Sequence, residues 1–325
     1  MGFFPYDELD RGILNKRPSE PTGGIAPEQR PTELILDYGI INLDKPAGPT
    51  SHQATAYVKQ LLELPKCGHS GTLDPKVTGV LPVALNKASR IVQALLPAGK
   101  EYVGIMHLHK PVSKDTLMRV IEKFKGEIRQ LPPVKSAVKR RVRKRKIYYL
   151  DILDIQEKDV LFRVGCQAGT YIRKLCHDIG RELNVGAHMQ ELRRTRVANF
   201  KEDTAVTLQD VADAYYYYKK EGNERFLRKI IVPVEKAVGH LPKVWVLDSA
   251  IPSLMHGQDL AVPGISKLEA CVDKSALVAV MSLMNELIAL GQALMSSDEI
   301  IKAQKGIAVN IHKVFIHHAR VRYIK

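Results

Sequence analysis

GHSGTLDPKVTGVLPVAL, residues 68–85, poses the question on which the rest of the chain turns. A single carboxylate, Asp74, sits in a turn-forming run with no second acid, no metal-ligand cluster and no Gly-rich phosphate loop beside it. An Asp before Pro in such a run is more often a turn residue than a catalyst, because its side chain bonds its own backbone. The apolar VLPVAL that follows fits a short buried strand.

Outward from this stretch, the pattern alternates between strand and helix. GIINLDKP reads as a strand that stops at Pro46. The spacing from Thr50 to Gln53 is that of a capping box. Ala54, Tyr57, Val58 and Leu61 then follow at helical spacing. Asn86 is placed to cap a helix striped by Ala88, Ile91, Val92, Leu95 and Leu96. EYVGIMHL predicts a strand. In SKDTLMRVIEKFKG, Leu117, Val120, Ile121 and Phe124 line one helical face and Gly126 stops the helix. DVLFRVGC alternates as a half-buried strand, and GTYIRKLCHDIGREL predicts a helix with Ile172, Leu175, Cys176 and Ile179 inward. Without a strict βαβ rhythm, the expected fold class is α+β with a largely antiparallel central sheet.

The flanks differ in texture. Residues 1–36 carry Pro5, Pro18, Pro21, Pro27 and Pro31 among polar residues, an extended arm ordered only where it packs on something. A main domain spans 37–236, and 237–325 read as a small β-rich domain. There, LVAVMSLMNELIALGQALM fits either a buried helix or two strands turning at Asn285. SSDEIIKAQKG is a short helix with a capping box from Ser296 to Glu299, and GIAVNIHKVFI a final strand.

The 325 residues are 45% hydrophobic, enough for a substantial core, and no apolar run is long enough to predict a transmembrane helix. The start lacks the features of a secretory signal and the Ser or Thr of a myristoylation signal. Cys67, Cys166, Cys176 and Cys271 form no CxxC pair and read as reduced thiols of a cytoplasmic protein. A net charge of +14 favours a polyanionic partner, nucleic acid first.

That charge is concentrated. KSAVKRRVRKRK, residues 135–146, has eight basic residues in twelve. On a hairpin, Lys139, Arg140, Arg141, Arg143, Lys144 and Arg145 would contact an RNA backbone; a nuclear localisation signal or a solvated face are the alternatives. Arg193, Arg194 and Arg196 form a second basic group, and together the two groups are expected to bracket one cleft. For Asp74 to act, its carboxylate must be ionised and held, and an arginine beside it does both. A flipped base needs an aromatic platform. Tyr102 in KEYVG, with Tyr171 and Arg173 in GTYIRK, offers these groups.

GHSGTLDP resembles the catalytic motif of the TruB family of pseudouridine synthases. DKPAGPTSH (44–52) is similar to that family's first motif, GTYIRKLCHDIG (169–180) to its Tyr-Ile-Arg motif, and ELRRTRV (191–197) to its Leu-Arg-Arg segment. The matches come in family order over about residues 40–236, and the part containing VWVLDSAIPSLMHGQDLAVPGI resembles the PUA RNA-binding domain. The long arm and PPVKSAVKRRVRKRKIYYLDI resemble more closely the dyskerin-like branch, the catalytic subunit of box H/ACA guide ribonucleoproteins. The lysine-rich tails of eukaryotic members are missing, which implies an archaeal, cytoplasmic protein.

The resemblance answers the puzzle. It implies isomerisation of uridine to pseudouridine in RNA, a reaction that needs one carboxylate, no metal and no cofactor. Asp74 matches the essential Asp. By the same resemblance Arg173 pairs with it, Tyr102 stacks on the flipped uracil, and Tyr171 lines the pocket. His69 holds or extrudes the target nucleotide, and Leu192 closes the apolar wall. The implied partners are a guide RNA, an rRNA or tRNA substrate and three small accessory proteins, with no membrane. The implied fold is the synthase α+β domain plus a β-barrel-like PUA domain around which the arm can wrap. A catalytically silent RNA-binding scaffold is the rival; its signature would be loss of the Asp, Tyr or Arg, and all are present.

Overall fold

A computed structural model describes residues 3–132 and 141–315; Lys139 and Arg140 of the basic run lie outside the described residues. Strand β1 (Ile13–Asn15) and helix α1 (Thr32–Tyr38) come first. Helix α1 begins inside the stretch expected to be extended. Pro31 precedes it, where a helix entrance tolerates proline because the first N–H groups have no intrahelical partner. Its Ile35 and Tyr38 are buried, and packing of that apolar face stabilises so short a helix.

The larger part then runs β2 (Gly39–Lys45), α2 (Ser51–Leu61), β3 (Cys67–His69), β4 (Thr78–Leu85), α3 (Val92–Leu95) and β5 (Lys100–Leu108). It continues with α4 (Lys114–Lys123), β6 (Gly126–Gln130), β7 (Arg143–Gln156), β8 (Asp159–Cys166), α5 (Ile172–Glu182) and β9 (Ala187–Val197). β10 (Phe200–Lys201), α6 (Leu208–Glu221), α7 (Arg225–Ile230) and β11 (Ile231–Pro233) close it. Among the described residues these strands form one sheet, ordered β11-β2-β4-β9-β5-β8-β7-β6, with β3 beside β4 and β10 beside β9. Its pairings are antiparallel except β4 with β9, which run parallel with Thr78 opposite Arg193 and Gly79 opposite Arg194.

Side-chain spacing explains most elements. Thr50 and Gln53 make the expected capping box, and α2 buries Ala54 and Val58. Tyr57, expected on the same face, is instead exposed, and Leu62 is buried beyond the helix end. Asn86 does not cap: Leu85 precedes the 3₁₀ turn Asn86–Ile91, and the Asn86 amide bonds Asp37 instead. The stripe therefore breaks at α3, and Leu96 is exposed. Helices α4 and α5 bury Leu117, Val120, Ile121, Ile172, Leu175, Cys176 and Ile179 against β5, β7 and β8.

The C-terminal half is a second sheet of β12 (Lys243–Val246), β13 (Leu260–Ala261), β14 (Ile265–Glu269), β15 (Leu277–Met281), β16 (Leu287–Ala293) and β17 (Ile307–Val314), with α8 (Ile251–Met255) and α9 (Ser297–Lys302). The 277–293 stretch is two strands, not a helix. Asn285 turns between them at φ +63, a conformation asparagine tolerates better than most residues. The sheet takes β1 as an edge strand on β14, Ile13 opposite Glu269. One apolar cluster joins the two halves, with Ile40, Val80 and Leu95 packed alongside Trp245, Met281 and Leu290. No helix among the described residues is long and apolar enough to cross a membrane.

Candidate active site

Asp74 sits on the loop between β3 and β4, and buried donors and acceptors clamp that loop from three sides. The Lys45 ammonium, at the end of β2, donates to the carbonyls of Pro46 (2.7 Å), Pro75 (3.1 Å) and Val77 (2.9 Å). The Ser51 hydroxyl, in the first turn of α2, accepts from the Leu73 N–H at 2.8 Å. Arg194 of β9 donates to Val80 O at 2.7 Å and Gly71 O at 3.3 Å. The Gly48 N–H donates to Pro75 O at 2.9 Å. Gly79 lets β4 and β9 meet there: its φ is +103, and a Cβ would collide with the Arg194 carbonyl.

The loop forms one wall of a cleft of about 740 Å³ whose lining includes His69, Asp74, Tyr102, Tyr171, Arg173 and Leu192. These six lie on five different segments, so the fold brings together what the sequence keeps up to 123 positions apart. Asp74 and Arg173 form an ion pair at the mouth, each side chain more than half exposed. Arg173 stands in the first turn of α5. Tyr171 precedes that helix, its backbone held by Gln130 through Nε2 to Tyr171 O (3.1 Å) and Tyr171 N to Oε1 (3.0 Å). Burial pushes the Tyr102 hydroxyl above the ordinary tyrosine range, and the nearby Arg194 guanidinium opposes that rise.

Two basic side chains in the cleft behave differently from an exposed cation. His69 is pulled down to about 4, first by burial and then by His52 and Arg194, so it is neutral near pH 7. Its Nδ1 accepts from the Gly71 N–H at 3.3 Å, which leaves the proton on Nε2. Lys100 lines the cleft from β5 and is drawn down to about 7 by burial, while the carbonyls of Leu95, Leu96 and Ala98 accept from its nitrogen at 2.7 to 3.1 Å.

The two basic groups do not share one role. Arg193, Arg194 and Arg196 were expected to bracket the cleft together with the basic run; Arg194 lines it, and all three are engaged by partners within the protein. Arg193 pairs with Asp44 and Glu202, each at 2.9 Å. Arg194 is 1% exposed. Arg196 pairs with Asp7 at 2.5 Å. A bulge explains the split: Arg194 opposes Tyr102 while Arg196 opposes the adjacent Glu101, with Thr195 the extra residue. By contrast Arg141 and Lys144 are exposed; Arg143 and Arg145 are half-buried on β7. Lys144 meets Glu127 at 3.0 Å in an exposed pair, worth little. The Arg145 guanidinium lies over Gly169 of the cleft lining, where a Cβ would meet it at 3.0 Å.

Residues 59–172 match the TruB family pseudouridylate synthase N-terminal domain, and 173–239 the tRNA pseudouridylate synthase B C-terminal domain. Residues 242–315 match the PUA domain and 14–55 the DKCLD domain. A Pyrococcus furiosus protein named "Probable tRNA pseudouridine synthase B" is 59% identical over 95% of this chain and 92% of its own. The chain belongs to the TruB family of pseudouridine synthases. A relative of the same name from Methanopyrus kandleri is 54% identical over 96% of this chain and 93% of its own. Among solved structures, a Cbf5-Nop10-Gar1 complex matches at TM-score 0.91 and 56% identity, covering 96% of both chains. An H/ACA RNP bound to a substrate RNA containing 2'-deoxyuridine matches at TM-score 0.90 and 54% identity, covering 97% of both.

In this synthase the first motif carries no cleft-lining group; its Lys45 and Ser51 tether the Asp74 loop. The tethering roles of Lys45, Gln130 and Arg194 were missed from sequence because each has a backbone partner 30 to 123 positions away. For Lys45 the one local signal was a Lys at the end of a strand-like run.

Proposed function

We propose that Asp74 is the catalytic carboxylate of this RNA pseudouridine synthase, an isomerase that converts uridine to pseudouridine, with Arg173 as the cation that pairs with it and fixes its rotamer. The observation carrying this assignment is the Asp74–Arg173 pair at the mouth of a cleft lined by Tyr102, Tyr171, His69 and Leu192. In this scheme Tyr102 stacks on the flipped uracil while the C1′–N1 bond breaks, the base rotates and C5 joins C1′. The C5 proton then leaves, with Tyr171 beside the base, and N1, freed of the sugar, takes up a proton, so atoms and electrons balance and no redox partner is needed. His69 donates from Nε2 to the extruded nucleotide, and Leu192 supplies the apolar wall.

The substrate reading extends to the assembly. The synthase acts as the catalytic subunit of a guide-RNA particle with small accessory proteins, and acts alone on tRNA; similarity to the named complexes and to the tRNA synthases supports both. Residues 237–325 grip RNA, 37–236 carry the chemistry, and 1–36 tie the two. Lys139, Arg140, Arg141, Arg143, Lys144 and Arg145 hold RNA phosphates, a reading favoured for the described part of the run by Arg145 lying over Gly169 of the cleft lining. The archaeal relatives favour a cytoplasmic site of action.

Asp74→Asn is the direct test, since it removes the charge at nearly constant shape. Turnover on tRNA transcripts and on a guide-paired oligonucleotide should fall more than about a thousandfold, as for other essential groups. RNA affinity should stay within about threefold, a fraction of a kcal/mol. Turnover near wild type would end the assignment. For the basic run, replacing Arg141, Arg143 and Arg145 by Ala should flatten the plot of log affinity against log salt. Each lost phosphate contact removes roughly 0.7 to 0.9 of slope. An unchanged slope would mark a merely solvated face.

A further inference from the structure

Behind the cleft, the N-terminal arm makes a contact that the chemistry above leaves unused. Phe4 is 0% exposed although it lies at the very start of the described chain. Its ring stacks on Tyr6 at 5.2 Å and meets Tyr148 edge-on at 5.6 Å. The Arg196 guanidinium sits 4.7 Å from the centroid of Phe4 and 5.7 Å from that of Tyr6. The same guanidinium donates to both carboxylate oxygens of Asp7, at 2.9 and 2.5 Å, and to Ala198 O at 2.6 Å. Phe4 also presses on Gly99, where a Cβ would stand 2.7 Å from the ring, and Gly99 O accepts from the Ala198 N–H at 3.1 Å.

These contacts fall on the β5–β9 pair at the point where it serves the cleft. Gly99 precedes Lys100, and Tyr102 follows two residues later. The bulge at Thr195 sends Arg194 to the face of Tyr102 and Arg196 to the face of Glu101. Glu101 accepts from Thr195 (2.7 Å) and Tyr149 (2.5 Å), which pins the bulge from behind. The arm segment therefore covers the back of the strand pair whose front holds Tyr102 and Arg194.

We infer that residues 4–7 are a positioning element of the catalytic cleft: Phe4 and the Asp7–Arg196 pair brace the β5–β9 bulge from behind and so fix Tyr102 and Arg194 in front. The ring and ion-pair contacts of Phe4 and Asp7 run to Tyr6, Tyr148, Tyr149 and Arg196, outside the cleft lining, so the brace acts through these strands. A few residues on, the arm is woven into the other sheet, through Arg11 with Glu269 at 2.8 Å and the β1–β14 pairing. One strap thus joins the C-terminal sheet to the rear wall of the cleft. The inference rests on reading the cleft as the catalytic site.

Phe4→Ala, Phe4→Leu, Asp7→Asn and, as a control at the far end of the strap, Arg11→Ala separate bracing from simple stability. Each is assayed in the full-length protein for single-turnover pseudouridine formation at saturating tRNA transcript. Affinity for the transcript by filter binding and a thermal melt accompany each assay, all at a temperature where the variant is folded. Phe4→Ala should lower the rate about tenfold and Asp7→Asn about threefold, as expected when a cleft side chain is slightly misplaced. Phe4→Leu, which refills part of the space, should recover some of the rate. Affinity should change less than about twofold, and Arg11→Ala should leave the rate within about twofold, since it lies outside the braced bulge. If Phe4→Ala does not fold, Phe4→Leu and Asp7→Asn decide between bracing and stability. Wild-type rates in Phe4 and Asp7 variants, losses matched by Arg11→Ala, or losses seen only in affinity would overturn the inference. Asp74→Asn keeps the two ideas apart: if it is dead while the arm variants are normal, only the brace falls; if it turns over, the cleft assignment falls first.

Discussion

The two halves of this synthase bury polar groups for different ends. Around the cleft, Lys45, Lys100 and Arg194 are all at least 95% buried, and each directs its donors to backbone carbonyls of the cleft walls. In the C-terminal sheet the buried polar residues are Ser266, Glu269, Ser282, Glu286 and Ser297, over a core of valine, isoleucine and leucine. Glu269 ties the sheet to the arm through Arg11 and also pairs with Lys243, and the Ser266 hydroxyl donates to Arg17 O of the same arm. A buried cation costs several kcal/mol of desolvation unless its partners are well placed. The first half sets three buried basic groups against that cost, Lys100 being drawn down to about 7 by it, and each time the result is a fixed carbonyl near Asp74, Tyr102 or the rim at Leu96. The C-terminal half buries carboxylates, Glu269 and Glu286, rather than cations, and neither lines the cleft. Position, more than stability, is what the charged side chains supply in the first half.

The largest effect that would test this contrast belongs to Lys45→Met. The new side chain fills the same space but takes the Lys45 donor from the Pro46 and Val77 carbonyls, while Pro75 O keeps only the Gly48 N–H. Thermal or urea unfolding should report a loss of about 3 kcal/mol, since orphaned buried acceptors cost about 1 to 3 kcal/mol each and removal of the buried charge offsets part of it. With the Asp74 loop released, turnover should fall about a hundredfold at a temperature where the variant is folded. Normal turnover in the folded variant would show that Lys45 stabilises without positioning, and the contrast would lose its strongest member.

Glu269→Gln is the matching change in the other half. It loses the Arg11 pair at 2.8 Å and weakens the bond from the Lys243 N–H at 3.2 Å. Because Arg11 is itself about a third exposed, the expected loss is about 2 kcal/mol, below the figure for a fully buried pair. Turnover per folded molecule should stay within about twofold, since no cleft group is touched. A loss of turnover as deep as that of Lys45→Met would mean that the two halves are not distinct in this way.

The same contrast sets what could be read from the sequence. Local rules sufficed for the strands 39–45, 78–85 and 159–166, for the capping boxes at Thr50 and Ser296, and for the helix carrying Arg173, because each depends on neighbours a few residues apart. The motif order was enough to gather Asp74, Tyr102, Tyr171, Arg173, His69 and Leu192 as candidates; their meeting in one cleft is long-range and had to come from the fold. β9 was illegible. AHMQELRRTRV has too few apolar residues to show a strand period, and its arginines look like surface. Their fates are decided by Asp44, Val80 O and Asp7, which lie 114 to 189 positions away, and by a bulge that no residue type announces. Asn86 failed in the opposite direction: a good local cap lost to Asp37 across the chain.

The smallest effect concerns protons. His69 falls from 6.5 to about 4, with burial the main cause and the charges of His52 and Arg194 adding to it. Between those two values the unfolded chain carries the proton and the folded one does not, so the unfolded state binds more protons and stability rises with pH. Above about pH 6.5 both states are neutral, and below about pH 4 both are protonated, so the slope is confined to that window. Wild type should therefore lose about 1 kcal/mol relative to His69→Gln on going from about pH 7 to about pH 5.5, after allowance for partial exposure. Melts of both proteins at those two pH values measure it, and parallel curves would show that His69 is not held neutral by its surroundings. Turnover gives the second half of the test. Since Nδ1 is occupied by the Gly71 N–H and Nε2 keeps its proton throughout the window, the rate should show no step from His69 as pH falls from about 7 to about 5.5. A step in the wild-type rate that vanishes in His69→Gln would make His69 a proton carrier rather than a fixed donor, and the cleft would then hold a titrating group as well as a set of fixed ones.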